Sequence, residues 1–265
     1  GIAAFVAFAF YYFLRFIKDP TWKNVFILGI FLSLVQLTKF SSILILPIFG
    51  LVIIIYSFVK LARSKEETTL KFKLKNFGEY LGKFGAAFAF SIILVWIAYY
   101  FTTFNIPKEK LPEITNYYFN KDNIQAIYAK KILFPLNEND FFRPLAIYLF
   151  GIFRIFQRVV GGNVTYLLGK VSTQGFFFYF PIVFLIKMPL PILASIFSAL
   201  SIAVFNFFHN AKNEFKNRSI KLSSKIAFYF RTRTVEFSML AFIFLYSITS
   251  ITGKLNIGLR HLFPI

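Results

Sequence analysis

Four residues of this chain have side chains suited to holding an anion and stand where a largely apolar polypeptide has no evident use for charge. Lys39 separates two apolar runs in Leu37-Thr38-Lys39-Phe40-Ser41, and Lys187 interrupts the apolar stretch 176 to 208 in Lys187-Met188-Pro189-Leu190-Pro191. Arg260 and His261 follow Asn256-Ile257-Gly258-Leu259. Lysine supplies a point charge, and arginine a planar fork that meets phosphate oxygens in pairs. Proline is tolerated in the first turn of a helix, so Pro189 and Pro191 predict a helix that starts there, and Pro264 a further one beyond Arg260. Free backbone N–H groups and the positive end of a helix dipole would then converge with Lys187. Such a set could neutralise a phosphate and stabilise the charge it gathers as a leaving group. Each position also has a plainer reading: snorkelling for Lys39, a helix-flanking charge for Lys187, an anionic lipid head group for Arg260, a structural role for His261.

The elements that must position these residues are apolar and long. Of 265 residues 57% are apolar, about 62% with the glycines added, against roughly 45–50% for soluble domains. Charged residues are 15% and Phe, Tyr and Trp 21%, with 40 Phe, which excludes a soluble globule, a disordered chain and a coiled coil. The absence of cysteine removes disulfides, thiol catalysis and cysteine metal sites. The expected fold is an all-α polytopic membrane protein with about six transmembrane helices. Residues 40 to 59, 84 to 104 and 188 to 208 are uncharged runs long enough to cross a bilayer core of about 30 Å, and 1 to 14, 24 to 38 and 237 to 253 are shorter ones. The net charge of +19 is read by position and not as a nucleic-acid footprint.

Residues 60 to 83 carry seven Lys/Arg against three Glu, and 209 to 234 carry seven against one, so both are expected on the cytoplasmic side. Alternate threading puts the Arg15-Lys18-Lys23 turn inside, the Lys39 turn outside and residues 105 to 174 in one large outer loop. The predicted organisation is a single membrane domain over 1 to 265: four spans in 1 to 104, an extracytoplasmic loop and interfacial segment in 105 to 187, and two spans with the start of another in 188 to 265. The beginning at Gly1 and the Pro264 signal read as those of an interior piece of a longer protein. Lys39, Lys187, Arg260 and His261 then fall on one side of the membrane. Gly175-Phe176-Phe177-Phe178-Tyr179-Phe180-Pro181 is an aromatic cluster of the kind found where hydrocarbon meets water, and Pro181 to Lys187, too short to cross, reads as a short helix or re-entrant piece at the outer surface. Phe177, Tyr179 and Phe180 are its candidates for a lipid and sugar groove, and Gly161, Gly162, Gly169 and Gly175 mark turns where backbone can approach a ligand.

In that order, Tyr166-Leu167-Leu168-Gly169-Lys170-Val171-Ser172, the Gly175 to Pro181 cluster, Lys187-Met188-Pro189-Leu190-Pro191 and Asn256-Ile257-Gly258-Leu259-Arg260-His261-Leu262-Phe263-Pro264 resemble the central and later part of polyprenyl-phosphate-sugar-dependent membrane glycosyltransferases, the GT-C superfamily of protein O-mannosyltransferases and aminoarabinose transferases. Leu37-Thr38-Lys39 is similar to a further family position. The resemblance covers residues 25 to 265, with its informative words in 159 to 191 and 254 to 264. It departs from the pattern at Phe176-Phe177, where relatives often have Trp, and at Met188, where Thr is common. The resemblance implies transfer of a sugar from a polyprenyl-phosphate donor at the extracytoplasmic face of a bacterial-type cell membrane. The acid that would act as base lies in a first outer loop that these residues do not include.

Lys39, Lys187, Arg260 and His261 are thus the expected lipid-phosphate contacts. Glu109, Glu113, Asp122, Glu138 and Asp140 read as solvated loop charges. No residue cluster reads as a metal site and no cofactor is assigned, although a divalent ion could bridge the phosphate to the acid beyond this sequence. The expected partners are the bilayer and the lipid-linked donor, with no nucleic acid. A transporter or flippase of lipid-linked sugars, and a noncatalytic membrane scaffold, are the competing classes; the first would favour charges near mid-bilayer and repeat symmetry, which the sequence lacks.

Overall fold

The computed structural model describes residues 1–59, 70–120, 123–215, 234–254, 256 and 258. It is mostly helical: α1 (Ile2–Lys18), α2 (Trp22–Thr38), a 3-10 turn (Phe40–Leu44), α3 (Ile45–Val59), α4 (Leu70–Thr103), α5 (Lys110–Tyr118), α6 (Ile124–Glu138), α7 (Arg143–Gly161), a hairpin of β1 (Thr165–Leu167) and β2 (Lys170–Ser172), α8 (Tyr179–Lys187), α9 (Leu190–Phe215) and α10 (Thr234–Thr252).

Among the described residues four stretches are long and apolar enough to cross a membrane: Phe40–Phe58, Leu70–Thr103, Arg143–Gly161 and Thr234–Thr252. The pair Tyr179–Lys187 and Leu190–Asn206, bent by 117°, makes a fifth if taken as one span. This differs from the expected six in two ways. The helices at 1 to 14 and 24 to 38 form, but as α1 and α2 of 17 residues each. At about 1.5 Å per residue these reach about 26 Å, because the Asp19-Pro20 turn ends one and extended backbone at Lys39 ends the other. Conversely α7 arises inside the segment expected to be loop. Its apolar residues lie toward one face, while Arg143, Arg154 and Arg158 mark the rest.

The bundle of α1 to α4 has a distinct direction. Tyr80 Oη donates to Ile17 O at 3.1 Å, which puts the end of α1, the start of α2 and the early turns of α4 together. Arg15, Lys18, Lys23, Lys71, Lys73 and Lys75 belong to these parts, so these six of the cations expected on one side share one end, while residues 60 to 69 and 216 to 233 lie outside the described residues. At the other end Gln36 Nε2 donates to Ser91 Oγ at 3.0 Å. α4 has 34 residues, about 51 Å, so its basic first turns project beyond any hydrocarbon core that its second half crosses. Between the two ends lies an aromatic core in which Phe13 stacks on Phe49 at 3.8 Å, with Phe10 and Phe84 edge-on to that pair and Phe242 edge-on to Phe10. Gly29 lets α2 and α4 touch: a Cβ there would lie 2.8 Å from Ala87 O.

Length qualifies α7 as a span, but both its ends meet the same end of the bundle. Near its start, Tyr148 Oη donates to Gln36 Oε1 at 2.8 Å, and Trp96 Nε1 on α4 donates to Phe141 O at 2.6 Å. Near its finish, Val159 lies against Gly253, just after α10. α10 passes Phe10 at Phe242 and reaches Ser41 and Ser42 at Tyr246, so Thr252 is about 9 Å further from the basic end. α7 therefore runs across the non-basic end of the bundle and does not return through it. α5 and α6 pack under it around Leu111, Phe119, Leu133 and Ala146.

Candidate functional site

The two informative sequence stretches, far apart in the chain, meet beside the end of α10. The chain leaves α7 through Gly162 at φ 72, a left-handed conformation that side chains disfavour. A Cβ there would stand 2.6 Å from Thr173 O and 3.3 Å from Lys254 Cβ. The hairpin reverses through Leu168 and Gly169, both at positive φ as a two-residue turn requires. Thr165, buried, donates to Asn256 O at 3.2 Å. Gly175, at φ 75, passes close to Lys254 O and Asn256 Nδ2. Asn256 Nδ2 in turn donates to Phe176 O at 2.9 Å, and Lys254 Nζ to Gln174 Oε1 at 2.6 Å. The expectation that these glycines allow close approach holds for Gly162 and Gly175, but what approaches is Lys254 and Asn256 of the same chain. A Cβ at Gly161 or Gly169 would meet nothing within 4 Å.

The short helix expected after the aromatic cluster is α8. Tyr179 and Phe180 are buried against Leu167, Phe176 and Ile251, so they brace the join, whereas Phe177 and Phe178 are exposed. The three groove candidates consequently do not line one surface. Lys187 is exposed in the last turn of α8, with no hydrogen bond or ion pair among the described residues. Its charge sits at the negative end of α8's dipole. The helix start expected at Pro189 is real, since α9 begins at Leu190, but its amide cluster is thin. Pro191 has no N–H, and the Ile192 and Leu193 N–H groups go to Pro189 O at 3.0 and 3.1 Å. Lys39 caps the C-terminus of α2, where its carbonyl takes the Ser42 N–H at 3.0 Å and the Ser42 hydroxyl. The adjoining Phe40 packs on Tyr148 and over Gly151, so Lys39 lies beside α7. Arg260 and His261 lie outside the described residues.

Polar residues that the sequence reading passed over complete the region. Gln36 is buried with both ends of its amide used: Nε2 serves Leu32 O and Ser91 Oγ, and Oε1 accepts from Tyr148. The signal was available, because an amide inside the apolar run 24 to 38 needs a partner within protein when it lies in a membrane. Arg154, half-buried on α7, lies over the Tyr118 ring at 3.6 Å and donates to Gln157 Oε1. Of the loop acids, Asp140 pairs with Lys108 at 2.9 Å and Arg143 at 3.4 Å; hydrogen bonding to Lys108 holds its carboxyl below the usual carboxylate range. Glu113 pairs with Lys110 at 3.1 Å. Among the described residues no group of three or more His, Asp or Glu could hold a metal ion. No family model, curated protein or solved structure matches the chain.

Proposed function

We propose that this chain is the membrane portion of a glycosyltransferase that moves a sugar from a polyprenyl-phosphate donor to an acceptor at the extracytoplasmic membrane face. The observation that carries the reading is the join at Asn256. It ties the hairpin and aromatic cluster, which lead into Lys187, to the segment that leads into Arg260. In this reading the cations remote in sequence gather at one end of the bundle. In this reading α1, α2, α3, α4, α9 and α10 are six spans, and the basic end of the bundle is cytoplasmic by the positive-inside rule. α7 and α8 lie at the outer interface, where apolar residues such as the exposed Phe177 and Phe178 can meet the isoprenoid tail. Lys187 and Arg260, with Lys39 nearby, neutralise the donor phosphate while the bond from anomeric carbon to phosphate oxygen breaks, and His261 hydrogen-bonds the phosphate or positions the acceptor. The bond to the acceptor oxygen forms as its proton passes to a carboxylate outside these residues. Stabilising the departing phosphate is electrostatic work for groups fixed in advance, and losing one well-placed donor typically costs about 10²–10³ in rate.

The test is transfer from a synthetic polyprenyl-phosphate sugar by the full-length protein and its Lys187→Ala and Arg260→Ala variants. Each variant is expected to lose about two to three orders of magnitude in turnover with its melting temperature kept. Normal turnover in both would remove these residues from the site. Movement of the lipid-linked sugar across vesicles without transfer would instead favour the flippase class.

A further inference from the structure

We propose that Arg154, with Arg158 one turn further along α7, forms a binding site for a phosphate-class anion where α7 meets α5, made of residues that the transfer reading does not use and independent of whether that reading holds. The starting observation is a charge imbalance. From residue 141 to residue 213 there is no Asp or Glu, yet the stretch contains Arg143, Arg154, Arg158, Lys170, Lys187 and Lys212. Arg143 finds Asp140, just outside it. Neither Arg154 nor Arg158 makes an ion pair among the described residues.

Arg154 is nonetheless held in place. Its guanidinium carbon lies over the Tyr118 ring, and one N–H goes to Gln157 Oε1. Gln157 is itself fixed, because its Nε2 donates to Tyr118 O at 2.6 Å. Both partners are neutral, so the fork is oriented without being neutralised. Its remaining N–H groups have no acceptor among the described residues, although the side chain is half-buried. A planar fork with free in-plane donors suits the paired oxygens of a carboxylate or a phosphate. Arg158, four residues on and therefore on the same helix face, adds a second charge, which favours a phosphate over a single carboxylate. The surroundings place such a ligand at head-group depth. α7 runs across the non-basic end of the bundle, and Tyr117, Tyr118 and Phe150 cluster there as aromatics do where hydrocarbon meets water.

The phosphate can come from an anionic phospholipid or from solution, and one calorimetric titration separates them. The purified full chain in non-ionic detergent is titrated with short-chain phosphatidylglycerol and, separately, with inorganic phosphate. The wild type is expected to bind at least one probe at a single site. Arg154→Gln should weaken that binding about tenfold, the ordinary worth of a charge-assisted contact at a partly exposed site. Arg154→Lys, which keeps charge but loses the fork and the stack, should weaken it several-fold. Lys131→Gln, the same charge change on the exposed face of α6, should leave it unchanged. Binding confined to phosphatidylglycerol identifies a lipid ligand, and comparable binding of inorganic phosphate identifies a soluble one. The proposal is overturned if neither probe binds, if Arg154→Gln binds like wild type, or if Lys131→Gln weakens binding equally. Should Arg154→Gln fail to fold, Arg154→Lys and Arg158→Gln carry the test, and wild-type affinity in both overturns it.

Discussion

In the bundle of α1 to α4 the contacts are ring against ring, with Phe13, Phe16 and Phe49 fully buried and tiled onto their neighbours, whereas the join beside α10 has one small apolar cluster around Tyr179 and Phe180 and single hydrogen bonds from Thr165, Asn256 and Lys254 to chain that passes unusually close. The difference is one of sharing. Within lipid there is little hydrophobic gain in bringing helices together, so a bundle is held by the fit of many surfaces, and every helix depends on the rest. The join depends on that small cluster, two left-handed glycines and one buried amide. The weaker kind of structure opens locally at the lower cost.

The comparison breaks most visibly at Phe13. Phe13→Ala empties a site that is fully enclosed and stacked at 3.8 Å, and should lower the stability of the whole protein by about 3 kcal/mol, seen as a fall in the thermal transition in detergent. A change confined to local exchange rates would show that the bundle is not one cooperative unit. Gly162→Ala should cost about 2 kcal/mol through the positive φ and the 2.6 Å approach to Thr173 O, but locally. Amide exchange should quicken across the hairpin and α8 while α1 to α4 keep their protection; uniform quickening would merge the two regions. The smallest effect belongs to acid. Asp140 is held below its ordinary value in the folded chain, so its contribution is fully present above about pH 4 and is lost as pH falls through the depressed value. Being exposed, it should loosen only the turn between α6 and α7, which Asp140→Asn at neutral pH should reproduce by amide exchange.

How much of this was legible depended on whether a signal was local. The runs at 40 to 59 and 84 to 104 became helices because twenty uncharged apolar residues admit little else, and α9 begins next to Pro189 because proline is tolerated in a first turn. α7 was missed because its apolar residues are interleaved with Arg154, Gln157 and Arg158, so no uncharged run announces it. The site was legible as a set of words but not as an arrangement. Gly162 and Gly175 were marked as points of close approach, yet the partner, Asn256, could not be named from either. Lys187 was expected to face a cluster of free amides, but the Pro189 carbonyl takes two of them and Pro191 lacks one.

The sequence by itself determined that the chain is helical, that several of its helices are apolar enough for a bilayer, and which residues carry charge where apolar neighbours give it no partner. These follow from composition and from periodicities of a few residues. Only the tertiary structure decided that α7 crosses the end of the bundle, that Gln36 pairs with Tyr148, that Arg154 is oriented by Tyr118 with no carboxylate among the described residues, and that residues 162 to 176 close on Lys254 and Asn256. Each is a meeting of groups tens to about a hundred residues apart. Such meetings are fixed by how whole helices pack, and no stretch of sequence contains that information alone.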